Sequence, residues 1–290
     1  MNQACPAIDV AAWVGQYPFR GILHSSLTHL LDKLAALQVE RAVVSPFEAL
    51  FWENNLDAFD LWSHRLAEHS RLELWPVVNP AMPGQIARLA RRLDEHAAHG
   101  QAVPRGLRLL PNYHGYRLDA PAVDDLMRLA RERSLIVQVF QRIADERWHW
   151  MLSVPPVPPE DLLAFVDRHD QQPILISALN APQLLADRLR SHPALYADLS
   201  RLRGPLFALE RLLEQAPADR LVFGSLWPIQ IIEATLWQIT YAQASDATKA
   251  DLLRGNAARL LQSASDQPRT ATQTQATSPS AGPLPSRCSE

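Results

Sequence analysis

The chain has 290 residues, is 47% hydrophobic and carries a formal net charge of −3. That is enough chain for one sizeable core, and the near-neutral balance gives no electrostatic reason to expect nucleic acid or an anionic membrane as partner. No stretch approaches the roughly 18 consecutive apolar residues of a membrane span, MNQACPAIDV lacks the basic start of a signal peptide, and Cys5 and Cys288 stand too far apart in sequence to suggest a disulfide framework or a cysteine metal site, so a cytoplasmic protein is expected.

Short apolar runs alternate with stretches of helical period. The first run is 7–10. Leu27, Leu30, Leu31, Leu34 and Leu37 then mark one face of a helix over 26–38. RAVVS at 41–45 precedes a helix over 53–69. LELWPVV at 72–78 is closed by Asn79-Pro80 and precedes a helix over 84–98. GLRLL at 106–110 precedes a helix over 120–133, and LIVQVF at 135–140 precedes a long connection, 141–158, and a helix over 159–167. PILISA at 173–178, LYADL at 195–199 and LVFG at 221–224 supply the last strands, with helices over 182–189, 205–215 and 229–242 and a final helical stretch over 246–261.

Eight strand–helix pairs predict an α/β fold, a single-domain (β/α)8 TIM barrel over 1–262. Several strands are nearly continuous in apolar residues, as strands buried on both faces are. A doubly wound open sheet is the alternative, but it seldom repeats so regularly, and no G-x-G-x-x-G loop follows any strand. From Ser263 the chain turns to Ser, Thr, Gln, Pro and Ala, which predicts a disordered polar tail over 263–290.

In such a barrel the strand-end loops hold the chemistry. Arg108, Arg142 and Arg147 are candidates to grip a carboxylate in bidentate fashion. Asp9, His114 and Asp145 are candidates for proton transfer, with His149 beside them in the same long connection. Tyr113, Gln138, Asn180 and Trp227 complete the expected substrate-binding set, with Trp13, Trp148 and Trp150 as apolar walls. Each has a structural alternative. Arg142, Asp145 and Arg147 could be an ion-pair network that pins a loop, His114 a loop histidine beside Gly115, and Asp9 a core carboxylate paired with a neighbour such as Arg108.

The order of motifs resembles the amidohydrolase-related family, TIM-barrel metal-dependent hydrolases. IDVAAWVG at 8–15 resembles the family's first strand, Asp-x-His-x-His followed by Gly. GLRLLPNYHGY at 106–116 resembles its strand with a Lys or Arg and a downstream Pro, and ILISALNAP at 174–182 the strand that ends in a His. LVFGSLWP at 221–228 resembles its closing Gly-Ser-Asp-x-Pro, and KADLLRGNAARLL at 249–261 its Asn-Ala helix. The resemblance implies a divalent metal held by paired histidines, a further histidine and an aspartate. Those positions are here Ala11, Trp13, Ala178 and Leu226, and the fifth strand's histidine position falls near Gln138. None of the four side chains offers a lone pair to a cation. No metal and no other cofactor are therefore expected.

Because the resembling superfamily includes lactonase and decarboxylase types, one expectation is an amidohydrolase-like hydrolase, lactonase or decarboxylase acting on a small carboxylate without the usual metal. A second is a non-catalytic barrel that binds a small ligand or a partner subunit. A metal site rebuilt from Asp9, His24, His114, Asp145 and His149 ranks third. Trp-rich helices leave a homo-oligomer open.

Overall fold

The computed structural model describes residues 6–19, 21–22, 24–144 and 152–264. The predicted tail, together with Asp145, Arg147, Trp148, His149 and Trp150, lies outside the described residues.

Eight parallel strands appear in chain order: β1 (Ala7–Val14), β2 (Val39–Pro46), β3 (Leu72–Leu74), β4 (Gly106–Leu109), β5 (Ile136–Phe140), β6 (Ile174–Ser177), β7 (Leu195–Asp198) and β8 (Leu221–Val222). Neighbours in sequence are neighbours in space, as β1-β2-β3 and β4-β5-β6-β7-β8. Two seams join these sets. Arg108 N–H donates to the Pro76 carbonyl at 2.8 Å and Val78 N–H to the Arg108 carbonyl at 3.0 Å. Val10 N–H donates to the Phe223 carbonyl at 3.1 Å and Trp13 N–H to the Trp227 carbonyl at 2.8 Å. The sheet therefore closes on itself, which removes every edge. The predicted third strand, 72–78, is ladder-paired only to Leu74, because Pro76 has no N–H to give the sheet.

The helices are α1 (Leu27–Ala36), α2 (Asn55–Leu66), α3 (Gln85–Ala98), a short α4 (Pro111–His114), α5 (Pro121–Glu132), α6 (Pro159–Arg168), α7 (Ala186–Ser191), α8 (Ala208–Gln215), α9 (Ile232–Thr240), α10 (Asp246–Ala250) and α11 (Asn256–Ser263). In α1, Leu30 and Leu34 are buried and Leu27, Leu31 and Leu37 pack partly against the same core, while the Ser26 hydroxyl caps the first turn from the His29 N–H. The helix predicted over 182–189 is a 3-10 turn, Pro182–Leu185, running into α7.

The barrel interior has two apolar ends. At the floor, Ile8, Val10, Val43, Trp75, Ile136, Leu175 and Val222 pack against Ala257, Leu260 and Leu261 of α11. Asn256 anchors that helix: its amide donates to the Leu221 carbonyl at 2.6 Å and the Ala218 carbonyl at 2.7 Å, at the start of β8. At the mouth, Ala11, Trp13, Phe47, Val77, Leu110, Phe140, Ala178 and Leu226 form a second cluster.

Candidate functional site

Between the two ends lies a polar layer built on β1, β4, β5, β6, β7 and the end of β8. Arg108 sits at its centre and is fully buried. Its Nε donates to Gln138 Oε1 at 2.8 Å, Nη1 to the Ala12 carbonyl at 2.8 Å, and Nη2 to the Val10 and Val43 carbonyls, both at 3.0 Å. Its guanidinium carbon lies 4.9 Å from the Trp13 ring centre and 5.3 Å from that of Phe140. Four of its five N–H groups are thus committed to the protein. The fork expected to grip a substrate carboxylate meets main-chain carbonyls and lies against aromatic rings.

Gln138 extends the layer. Its amide nitrogen donates to the Val10 carbonyl at 3.0 Å and to Ser177 Oγ at 2.7 Å. It is a strut between strands, with its oxygen turned to Arg108. Asp198, at the end of β7, takes the Ser200 hydroxyl at 2.6 Å, the Ser200 N–H at 3.0 Å and the Ala178 N–H at 3.2 Å. Asp9 takes the Ser225 hydroxyl at 2.5 Å, the Ser225 N–H at 2.9 Å and the Ala11 N–H at 3.0 Å. Burial pushes both carboxyls upward, opposed by these bonds and, at Asp9, by the charge of Arg108. Burial brings Arg108 down to about 9, against the pull of Asp9 and Asp198. Gly224 makes the layer possible: a Cβ there would stand 2.9 Å from the Ala11 methyl and 3.0 Å from Asp198 Oδ2.

Above the layer the mouth is filled. Trp13 stacks on Phe47 at 5.4 Å and meets Phe140 edge-on at 5.3 Å. Ala178 and Leu226 complete the plug, both with left-handed backbones at φ 56° and 55°.

The remaining expected residues lie around this plug. The Tyr113 hydroxyl accepts the Ala144 N–H at 3.1 Å and bonds the Tyr17 hydroxyl. His114 is sunk against the Phe47–Leu50 turn, its Nε2 3.4 Å from the Asn55 amide nitrogen, and burial lowers its imidazole to about 4. Trp227 is buried, and its backbone N–H donates to Ser225 Oγ at 2.9 Å. Arg142 and Asn180 meet through a residue the sequence reading passed over. Arg201 donates to Asn180 Oδ1 at 2.9 Å and to the carbonyls of Arg142, Ile143 and Ala144 at 3.1–3.4 Å. Its signal was its place, three residues past β7, where a buried arginine needs acceptors. Asp198 had a clearer one, as the acid closing an otherwise apolar strand.

The amidohydrolase family model matches residues 9–262. The chain belongs to the amidohydrolase family. No curated protein matches this amidohydrolase-family chain. Solved structures of like fold include 5-carboxyvanillate decarboxylase from Sphingomonas paucimobilis (14% identity, 89% of this chain and 99% of that one, TM-score 0.67) and 2,6-dihydroxybenzoate decarboxylase from Rhizobium (13%, 89% and 98%, 0.66). A third is a dihydroxybenzoic acid decarboxylase from Polaromonas with bound manganese and the inhibitor 2-nitroresorcinol (12%, 89% and 97%, 0.65). At these identities the likeness is one of fold.

The divalent metal that the family resemblance implies does not fit the residues present. The four positions that would bind it carry two methyls, an indole and an isobutyl group, packed together. The one retained ligand-type group, Asp9, is occupied by Ser225 and Ala11. Among the described residues, no three His, Cys, Asp or Glu side chains gather where they could hold a metal ion. No described helix is long and apolar enough to cross a membrane.

Proposed function

We propose that this amidohydrolase-family barrel is a binding protein: it takes a small molecule on its mouth face and does not turn it over by metal-activated chemistry. One observation carries this reading. The axial mouth is occupied by the protein's own Trp13, Phe47, Phe140 and Leu226, each essentially unexposed. A substrate placed on the axis would have to displace well-packed aromatic side chains, at about 1.5–3 kcal/mol of burial for each. The groups beneath them, Arg108, Gln138, Asp9 and Ser225, already bond one another and the main chain.

The test is elemental analysis of the full chain purified without chelator or added metal, beside carbon dioxide release from 2,6-dihydroxybenzoate and 5-carboxyvanillate. Less than about a tenth of an equivalent of transition metal, with no release, is the expected result. Near one equivalent of zinc or manganese with release would overturn it.

A second reading is a metal-free hydrolase or decarboxylase of a small carboxylate, with Asp145, Arg147 and His149 joined by Arg142 and His114. It is favoured by the way Tyr113 and Arg201 hold 142–144 at the mouth. Release of product that Asp145→Asn abolishes would establish it.

A further inference from the structure

Beside the plugged axis, on the same face, lies a cavity of about 980 Å3 between the β1–α1 connection, the turn after β2 and α2. Pro18, Leu27, Phe51, Trp52, Leu61 and Trp62 give it apolar walls. Among the described residues two charged side chains line it, Glu48 and Arg65. Glu48 takes only the Gln16 N–H, on Oε1 at 3.3 Å, and neither group has an ion-pair partner among the described residues. Arg65 lies over the Trp62 ring at 5.1 Å.

Two buried polar atoms of these residues are also unpaired among the described residues: Glu48 Oε2 and the indole N–H of Trp62. Buried polar atoms without partners are uncommon and call for one. Gly15 seats the carboxylate. It holds φ 83°, and a Cβ there would lie 2.2 Å from Glu48 Oε2. The protein thus commits a left-handed glycine to placing an acid, without a cation partner among the described residues, in the wall of an apolar cavity.

We infer that this cavity binds a small zwitterion with an apolar body, its ammonium on Glu48 and its carboxylate on Arg65. A single-charge ligand would leave one of the two ionic groups unanswered, whereas a zwitterion answers both and hides its body against the aromatic walls. The inference rests on the binding reading above, whose site it names.

The experiment is isothermal titration of the full chain with L-phenylalanine, phenethylamine and 3-phenylpropionate as probes, with product analysis of each mixture. L-Phenylalanine should bind at least tenfold tighter than either single-charge probe. Glu48→Gln should abolish its advantage over 3-phenylpropionate, and Arg65→Met its advantage over phenethylamine. Arg65 lies at the exposed end of α2, so Arg65→Met keeps the test valid should Glu48→Gln disturb the Gly15 turn. Absence of saturable binding by all three probes, or unchanged binding in Arg65→Met, would overturn the site. Conversion of bound L-phenylalanine would support the site and overturn the non-catalytic reading, so the two failures are distinguishable.

Discussion

The two ends of this barrel are filled in different ways. The floor is closed by a helix: α11 brings Ala257, Leu260 and Leu261 under Ile8, Val10 and Trp75, and Asn256 ties it to β8. The mouth is closed chiefly by side chains of the strands and the segments that follow them, Trp13, Phe47, Phe140 and Leu226. Floors of such barrels serve stability, and mouths ordinarily serve chemistry. Here both ends are core, and the polar chemistry is compressed into the layer between them. The difference lies in how the backbone meets each plug. The floor is regular, whereas Ala178 and Leu226 at the mouth sit in a left-handed conformation that side chains rarely adopt.

The largest effect should come from breaking the layer that both ends share. Arg108→Met leaves Asp9 and Asp198 without their cation and the Val10, Ala12 and Val43 carbonyls without their donor. Removing one partner of a buried charge set costs about 3–5 kcal/mol. Urea unfolding should show that loss, and adding Asp9→Asn should recover part of it. A loss below about 1 kcal/mol would mean that the guanidinium is not the strut its bonds describe.

Next is the equivalence of the two ends. Trp13→Ala at the mouth and Trp75→Ala at the floor should each cost about 3–5 kcal/mol in the same unfolding assay. A much smaller loss for Trp13 would mark the mouth as a compressible site instead of a core. Replacement by Phe should separate them in the other direction. The Trp75 indole donates to Glu73 at 2.9 Å, whereas that of Trp13 has no acceptor. Trp13→Phe should therefore be close to neutral and Trp75→Phe destabilising.

The barrel was legible because eight apolar runs alternate with helical periods, and each run became a strand where it was placed. Boundaries slipped where local chemistry intervened, as at Pro76. The site was less legible. Arg108 and Gln138 were rightly singled out as polar residues inside apolar strands, but sequence does not reveal which carbonyls a guanidinium will meet. The bulge in β1 between Asp9 and Ala12 decides that. Glu48 and Arg65 form no recognisable sequence pattern, because a cavity between two connections leaves no periodic trace.

A smaller effect separates the mouth from the floor by pH. His114 flanks the mouth, and burial lowers its imidazole from 6.5 to about 4. The unfolded chain takes up that proton near 6.5, while the folded one resists until near 4. Its contribution to stability is complete above pH 6.5 and is lost as pH falls from there to about 4. Asp9 and Asp198 act oppositely, since their raised carboxyls contribute most below the unfolded value of 3.8 and lose that contribution as pH rises. Comparing wild type with His114→Gln isolates the histidine. The difference in urea midpoint should change across pH 4 to 6.5 and hold constant from 7 to 8. A difference that is flat across the whole range would show that His114 is solvated.

The smallest predicted effect tests whether the mouth carries an inherited backbone. Replacing a buried alanine by glycine ordinarily destabilises, through lost methyl burial of about 0.8 kcal/mol and added freedom in the unfolded chain. Ala178 holds φ 56°, where an L side chain costs about 1–2 kcal/mol that glycine does not incur. The two contributions nearly cancel, so Ala178→Gly should leave stability within about 0.5 kcal/mol of wild type. Ala197→Gly, on the neighbouring strand and equally buried, has no such relief and should cost about 1 kcal/mol or more. Equal losses at the two positions would mean that the left-handed turn is relaxed by its surroundings. Unequal losses in the expected order would mean that the chain keeps a strained strand end at the mouth, held by the packing around Ala178.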